Sequence, residues 1–190
     1  MRIGDTLYFS PNYRFDQINW NNKEELIEAF RDRVEEFYLK PARVLNKHKY
    51  PFGSGVLCVT TIDFLAKIET DLDDVGKRFE NWLRSNIKEF DSSDPDNSSR
   101  TLACRFYKEF RNGLVHEGRI KNCGQFSYDF DELVHQGNGI IIVNPNLLLN
   151  AIISSFRKYI QRVESEEFAF LQFRCALIKA FWKDIKYVNR

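Results

Sequence analysis

Six separate stretches of this chain place apolar side chains three and four residues apart, and that repeat points to a mainly α-helical fold. In residues 23–40 the repeat runs through Leu26, Ile27, Phe30, Val34, Phe37 and Tyr38, with Asn22 available as a cap and Pro41 just beyond the expected end. Residues 56–70 are apolar over most of the helix circumference, which predicts a buried helix. The stretch 75–90 carries Phe79, Trp82, Leu83, Ile87 and Phe90. A fourth helix is expected over 100–117, after a polar loop whose serines Ser98 and Ser99 suit a cap, with Gly118 where a left-handed C-cap commonly falls. Asn144-Pro145 reads as cap plus first helical residue of a fifth helix, and residues 166–187 supply a sixth with a stripe of Phe170, Phe173, Leu177, Ile178, Phe181 and Ile185.

Between the fourth and fifth helices the pattern changes. Gln125 to Phe130 alternates with period two, and Ile140 to Val143 is a β-branched run after Asn138-Gly139, so a small β-hairpin is expected there. The first residues, 1–21, mix aromatics with Pro11 and show no sustained period, which reads as an arm packed on a single domain of residues 22–190. The break at Pro51-Phe52-Gly53-Ser54-Gly55 reads as the start of the second helix, because it is too short to cradle phosphates.

Composition removes several classes of function. A net charge of +1 spreads no general footprint for nucleic acid, so any basic surface has to be local. Cys58, Cys104, Cys123 and Cys175 form no Cys-x-x-Cys pair, so they read as buried free thiols and not as a zinc knuckle or disulfide frame. No cofactor loop, serine nucleophile elbow or metal-ligand spacing is present. With no apolar stretch taken as long enough for a membrane span and no leader-like start, a cytoplasmic protein without membrane contact is expected.

The segment Arg111-Asn112-Gly113-Leu114-Val115-His116 carries the chemistry-bearing residues. Its spacing alone decides nothing, since Arg43-Val44-Leu45-Asn46-Lys47-His48 has the same spacing in what reads as an irregular stretch between Pro41 and Pro51. The context differs: an amide follows Arg111, apolar residues lie between, and Glu117-Gly118 closes a helix directly after His116. This combination resembles the HEPN superfamily, whose signature is an Arg, four to six residues and a His near the end of a bundle helix. Arg111, Asn112 and His116 match that signature. The resemblance covers about residues 22–165 and implies a bundle of five to six helices with the hairpin after the fourth. It also implies a metal-independent endoribonuclease acting as a homodimer on RNA, in a toxin–antitoxin or antiviral setting with an antitoxin as partner. Family members that have lost activity serve as RNA-, nucleotide- or protein-binding modules, so that alternative stays open, as does a helical adaptor unrelated to nucleic acid.

The residues suit such chemistry. A ribose 2′-hydroxyl attacking the adjacent phosphate needs a proton acceptor, a proton donor and positive charge. His116 titrates near neutrality in its ordinary state, Arg111 grips phosphate as a fork, and Asn112 can orient either. On a straight helix Arg105, Asn112 and His116 share one side, opposite Leu102, Ala103, Phe106, Phe110, Gly113 and Leu114. Arg111 lies about 140° from His116, with Val115 between them. A two-fold pair of such helices would bury Val115 and converge two Arg and two His. Arg105, Lys108, Arg119 and Lys121, with Arg100 nearby, are the expected nucleic-acid contacts. Against this stands the plain reading of a surface Arg and a helix-end His. Likewise Asp63, Glu69, Asp71, Asp73 and Asp74 read as a solvated acidic patch, and Asp129 and His135 as solvated hairpin residues.

Overall fold

The computed structural model describes residues 1–70 and 72–188, and the fold is mainly α with small β-sheets. The N-terminal arm is more regular than its aperiodic sequence suggests. It forms an antiparallel meander of β1 (Arg2–Ile3), β2 (Thr6–Ser10) and β3 (Tyr13–Arg14), the first turn made by Gly4 at φ 57°. Phe9, Phe15 and Ile18 are buried, and the Phe9 ring lies 5.4, 5.8 and 5.1 Å from Phe15, Trp20 and Phe181. Aromatic content, not periodicity, is what docks this arm.

Helix α1 (Lys23–Val34) starts as expected at Asn22, whose side chain accepts a hydrogen bond from the Glu25 backbone N–H. It does not stop at Pro41. A π-helical turn, Glu35–Leu39, leads directly into α2 (Lys40–Lys47), and Pro41 sits in the first turn of α2. The wider π turn is where the chain accommodates the missing proline donor. The segment Arg43 to Lys47 is therefore helical, contrary to the reading of that stretch as irregular, and His48 is its C-cap residue.

Helix α3 (Pro51–Glu69) begins five residues earlier than expected, because Pro51 takes the first helical position and Gly53-Ser54-Gly55 joins the helix. Gly55 is required there by a neighbour: a Cβ would stand 2.2 Å from the Phe126 ring. At 19 residues and a mean hydropathy of 1.3, α3 passes the length and composition test for a membrane span, which corrects the expectation that no stretch does. Half of it is buried within the protein, against α2 and three helices that follow: α4 (Val75–Asn86), α7 (Pro145–Ser165) and α8 (Glu167–Val188).

Asp74 caps α4 by accepting from the Lys77 N–H. The helix ends at Asn86 because Ile87 is extended, and a 3-10 turn, Lys88–Asp91, still places Phe90 in the core. The polar stretch expected as a loop forms a hairpin of β4 (Ser93–Asp94) and β5 (Asn97–Thr101), and Thr101, not a serine, caps the next helix. That helix runs from α5 (Leu102–Phe106) through a second π turn, Tyr107–Arg111, to α6 (Asn112–Glu117), closed by Gly118 at φ 65°. Beyond it, β6 (Gln125–Phe126) pairs in parallel with β8 (Ile140–Val143), and β7 (Val134–Gly137) pairs antiparallel with β8. The Gln125 to Phe130 stretch is thus not the hairpin partner of β8; β7 is. Asn144 caps α7 by accepting from the N–H groups of Asn146 and Leu147. The last helix, α8, breaks at Phe181, where φ is −112° and ψ 16°.

The acidic patch read from sequence is dispersed by the fold. Asp74 is a cap, Asp73 is exposed near Lys179, and Asp71 lies outside the described residues. Glu69 is pressed between α3, Trp82 and Tyr159. Burial pushes its carboxyl up to about 7, with the Trp82 indole and the Arg162 charge opposing. Burial likewise raises the Tyr159 hydroxyl, and the Glu69 charge adds to it. The folded protein thus keeps a proton on Glu69 that the unfolded chain, near the ordinary 4.5, releases. Stability is expected to fall as pH rises from about 4.5 to about 7 and to level off above. Thermal melts of Glu69→Gln against pH should lack that decline, and a decline of unchanged size would remove Glu69 as its source.

Candidate functional site

The second π turn decides which residues of the motif helix meet solvent. A π turn takes one extra residue to go round, so side chains after it are rotated by about 100° relative to a straight helix. Arg105 therefore parts from Asn112 and His116. It is 2% exposed, and its guanidinium donates to Asp94 at 3.1 Å, Asp96 at 2.6 Å, Glu109 at 3.0 Å and the Gly139 carbonyl. Arg105 is not a surface contact for nucleic acid, as expected from the straight-helix wheel; it is the centre of a buried ion network. Arg100 also joins Asp94. Burial alone would raise the Asp94 carboxyl. The Asp96 backbone N–H and the Arg100 and Arg105 guanidiniums outweigh it and hold Asp94 below the usual range.

Arg111 ends the π turn and reaches across to α3, donating to Asp63 at 2.9 Å. A second guanidinium, Arg78 of α4, stands 3.8 Å from the other Asp63 oxygen. One carboxylate thus serves two cations. The side chains of Arg78 and Arg111 are 14% exposed, and among the described residues the buried Nε of each has no acceptor and Asp63 Oδ1 no hydrogen-bond donor. Arg111 also donates to the Asn112 side chain at 3.3 Å and lies 5.8 Å from the Tyr107 ring centre. Asn112 therefore orients Arg111, not His116. His116 is exposed in the last turn of α6, and among the described residues it has no hydrogen-bond or ion-pair partner.

Gly113 lets the chain double back. A Cβ there would meet the Arg119 carbonyl at 2.4 Å, and the segment returning over the helix is held by hydrogen bonds from Arg119 N–H to the Gly113 carbonyl and from Lys121 N–H to the Glu109 carbonyl. This return brings Arg119 and Lys121 to Glu117, each at 2.7 Å. Two of the expected nucleic-acid contacts are thus partly neutralised, and the hydrogen bond from Lys121 is the main reason the Glu117 carboxyl is lowered. Lys108 is exposed with no ion-pair partner among the described residues, and Val115 is 58% exposed. Of the expected site, the fold keeps Arg111, Asn112, Lys108 and His116 on one helix segment and removes Arg105.

A basic groove escaped the sequence reading because its parts are far apart in the chain. Two adjoining cavities of about 500 and 410 Å³ share Arg43 and Asn150. Arg157 and Lys158 of α7 line one, and Lys47 and Lys49 after α2 line the other. Asn46, Asn146 and Tyr128 complete it: the Tyr128 hydroxyl donates to Asn46 at 2.8 Å, and Lys49 lies 4.7 Å from the Tyr128 ring centre. Glu35 pairs with Arg43. Lys47, Lys49, Arg157 and Lys158 have no carboxylate partner among the described residues. Arg43, which sequence context set aside, thus lines this groove, and His48 stands between its lysines Lys47 and Lys49 in the chain.

The expected solvated pair in the β6–β8 region is local in its contacts: His135 stacks on Phe130 beside Glu132, and Asp129 bonds Ser127. Cys58 is buried, but Cys123 and Cys175 are exposed, so only part of the buried-thiol reading holds. Among the described residues no three His, Cys, Asp or Glu side chains converge as a metal-binding group. Comparison with protein-family models, curated proteins and solved structures gives no match.

Removing Arg105 leaves the buried Glu109 without its cation and Asp94 with Arg100 alone. Arg105→Ala is expected to lower stability by about 3–5 kcal/mol, measured by denaturant unfolding, whereas Lys108→Ala should leave it unchanged.

Proposed function

We propose that this chain is a HEPN-like cytoplasmic helical protein that cleaves RNA without a metal ion, as a homodimer whose α6 helices approach one another through Val115. The observation that carries the reading is the charge at the base of the motif helix: two largely buried guanidiniums, Arg78 and Arg111, gather on the carboxylate of Asp63, and Arg111 stands five residues before the exposed His116. Two cations on one carboxylate leave a net positive charge, which attracts the phosphates of a nucleic acid.

In this reading His116 accepts the proton of a ribose 2′-hydroxyl as the 2′-oxygen attacks the adjacent phosphorus. Arg111, aimed by Asp63 and Asn112, stabilises the added negative charge. The bond to the 5′-oxygen breaks, that oxygen is protonated by His116 of the second copy, and the products carry a 2′,3′-cyclic phosphate and a 5′-hydroxyl. The groove of Lys47, Lys49, Arg157 and Lys158 supports binding of a longer RNA strand. A second reading, RNA binding without cleavage, is favoured by the low exposure of Arg111 and its engagement with Asp63. A toxin–antitoxin or antiviral role, with an antitoxin as partner, follows only from the family likeness.

His116→Ala should slow RNA cleavage about 100-fold or more, and Arg111→Ala should also impair it, with both variants folded by circular dichroism. Cleavage should persist in EDTA and leave cyclic phosphate ends. Equal cleavage by His116→Ala would sink the catalytic assignment. If His48→Ala is instead the inactive variant, the chemistry belongs to the groove beside Arg43.

Reversing charge in the groove gives a separate readout. Lys47→Glu with Lys158→Glu should weaken RNA binding and make its salt dependence shallower, by about 1 in slope for each phosphate the groove ceases to hold. An unchanged salt slope would exclude the groove.

A further inference from the structure

Helix α8 carries two apolar rows where packing in one protomer needs one. Phe170, Phe173 and Leu177 face the core and are buried. A second row, Phe168, Leu171, Cys175, Ile178 and Trp182, recurs at alternating steps of three and four residues, the period of a coiled-coil seam. Its members lie outside the core. Phe168 is 72% exposed, Leu171 46% and Trp182 57%; Cys175 is exposed and Ile178 half-buried. Trp182 follows the break at Phe181 and still faces outward.

Charge along the helix selects the occupant of this row. Glu167 opens α8, just after Glu166 and within 3.6 Å of Lys23, and the other end carries Lys183 and Lys186 around Asp184, so the start is the more acidic end and the finish the more basic. A parallel copy would set like charges side by side. An antiparallel copy sets each acidic end beside a basic end and opposes the two helix dipoles favourably. The row is also symmetric about its middle, since Cys175 is seven residues from Phe168 and seven from Trp182. A two-fold axis there brings each Phe168 to the Trp182 of the other copy and Cys175 to its own counterpart.

We propose that α8 pairs antiparallel with α8 of a second copy of this chain, about a two-fold axis at Cys175. The row from Phe168 to Ile178, before the break, spans about 15 Å at 1.5 Å per residue, and Trp182 extends it beyond the break. Covered aromatics bury about 150–250 Å² each, so the four Phe168 and Trp182 rings, already part-covered, supply roughly a third of a standard ~1,600 Å² interface. Leu171, Cys175 and Ile178 add to the covered area, and the sum is that of a small, reversible interface. The pairing does not rest on the ribonuclease reading, and it is separable from the Val115 contact because the two lie on different helices.

Sedimentation of the full chain at about 1 and 100 μM, spanning ordinary interface affinities, should show concentration-dependent association. Leu171→Asp with Trp182→Asp should halve the assembled mass while the circular dichroism spectrum stays that of the folded wild type. Val115→Asp should leave the α8 pairing in place. Mild oxidation of the wild type should give a covalent dimer on a non-reducing gel, lost in Cys175→Ser and retained in Cys123→Ser. A wild type that stays monomeric at the higher concentration overturns the proposal. So does an assembly unchanged by the double substitution, or a cross-link that depends on Cys123.

Discussion

The packing of α3 on several sides governs the rest of the structure. A helix set against α2, α4, α7 and α8 has little water available to its buried polar groups, which turn to neighbouring elements or back to their own helix. Ser54 donates to the Ala42 carbonyl, and Thr61 turns back to the Leu57 carbonyl. Glu69 answers burial by holding its proton, whereas Asp63 answers by gathering Arg78 and Arg111. The motif arginine is consequently tied to the core, while the motif histidine, one helical turn and a half further on, stays in solvent.

Two π turns set where the charged side chains go. The first lets α1 run on past Pro41 and delivers Arg43, Lys47 and Lys49 to the end of α7. The second rotates Asn112 and His116 away from Arg105, which stays inward against Asp94, Asp96 and Glu109. Each is a one-residue shift in a helix that otherwise reads as regular. A protein with a net charge of +1 thereby gathers four cations without a carboxylate partner among the described residues, Lys47, Lys49, Arg157 and Lys158, in one groove.

Aromatic contacts join the parts that charge does not. Phe106 and Phe110 stack at 4.6 Å and connect through Phe126 to the β6 strand, and Phe79 and Phe90 meet Phe106 from α4 and the turn after it. Arg33 sits among Phe9, Phe37, Phe64 and Phe181, where burial lowers its pKa, and binds the N-terminal meander through the Phe9 carbonyl. This is why an arm with no period of its own still packs firmly.

What the sequence determined by itself was local. Apolar spacing and caps such as Asn22, Asn144 and Gly118 were enough to recognise helices, because those signals act within a turn or two of chain. Tertiary structure decided everything that depends on phase or on partners distant in sequence. It made Arg105 a buried ion and Asp63 the anchor of Arg111, assembled the groove from α2 and α7, and turned Glu69 from a surface acid into a protonated one. The reason is that a single extra residue in a π turn rotates every later side chain, and burial depends on which elements pack together, which spacing along one helix cannot report.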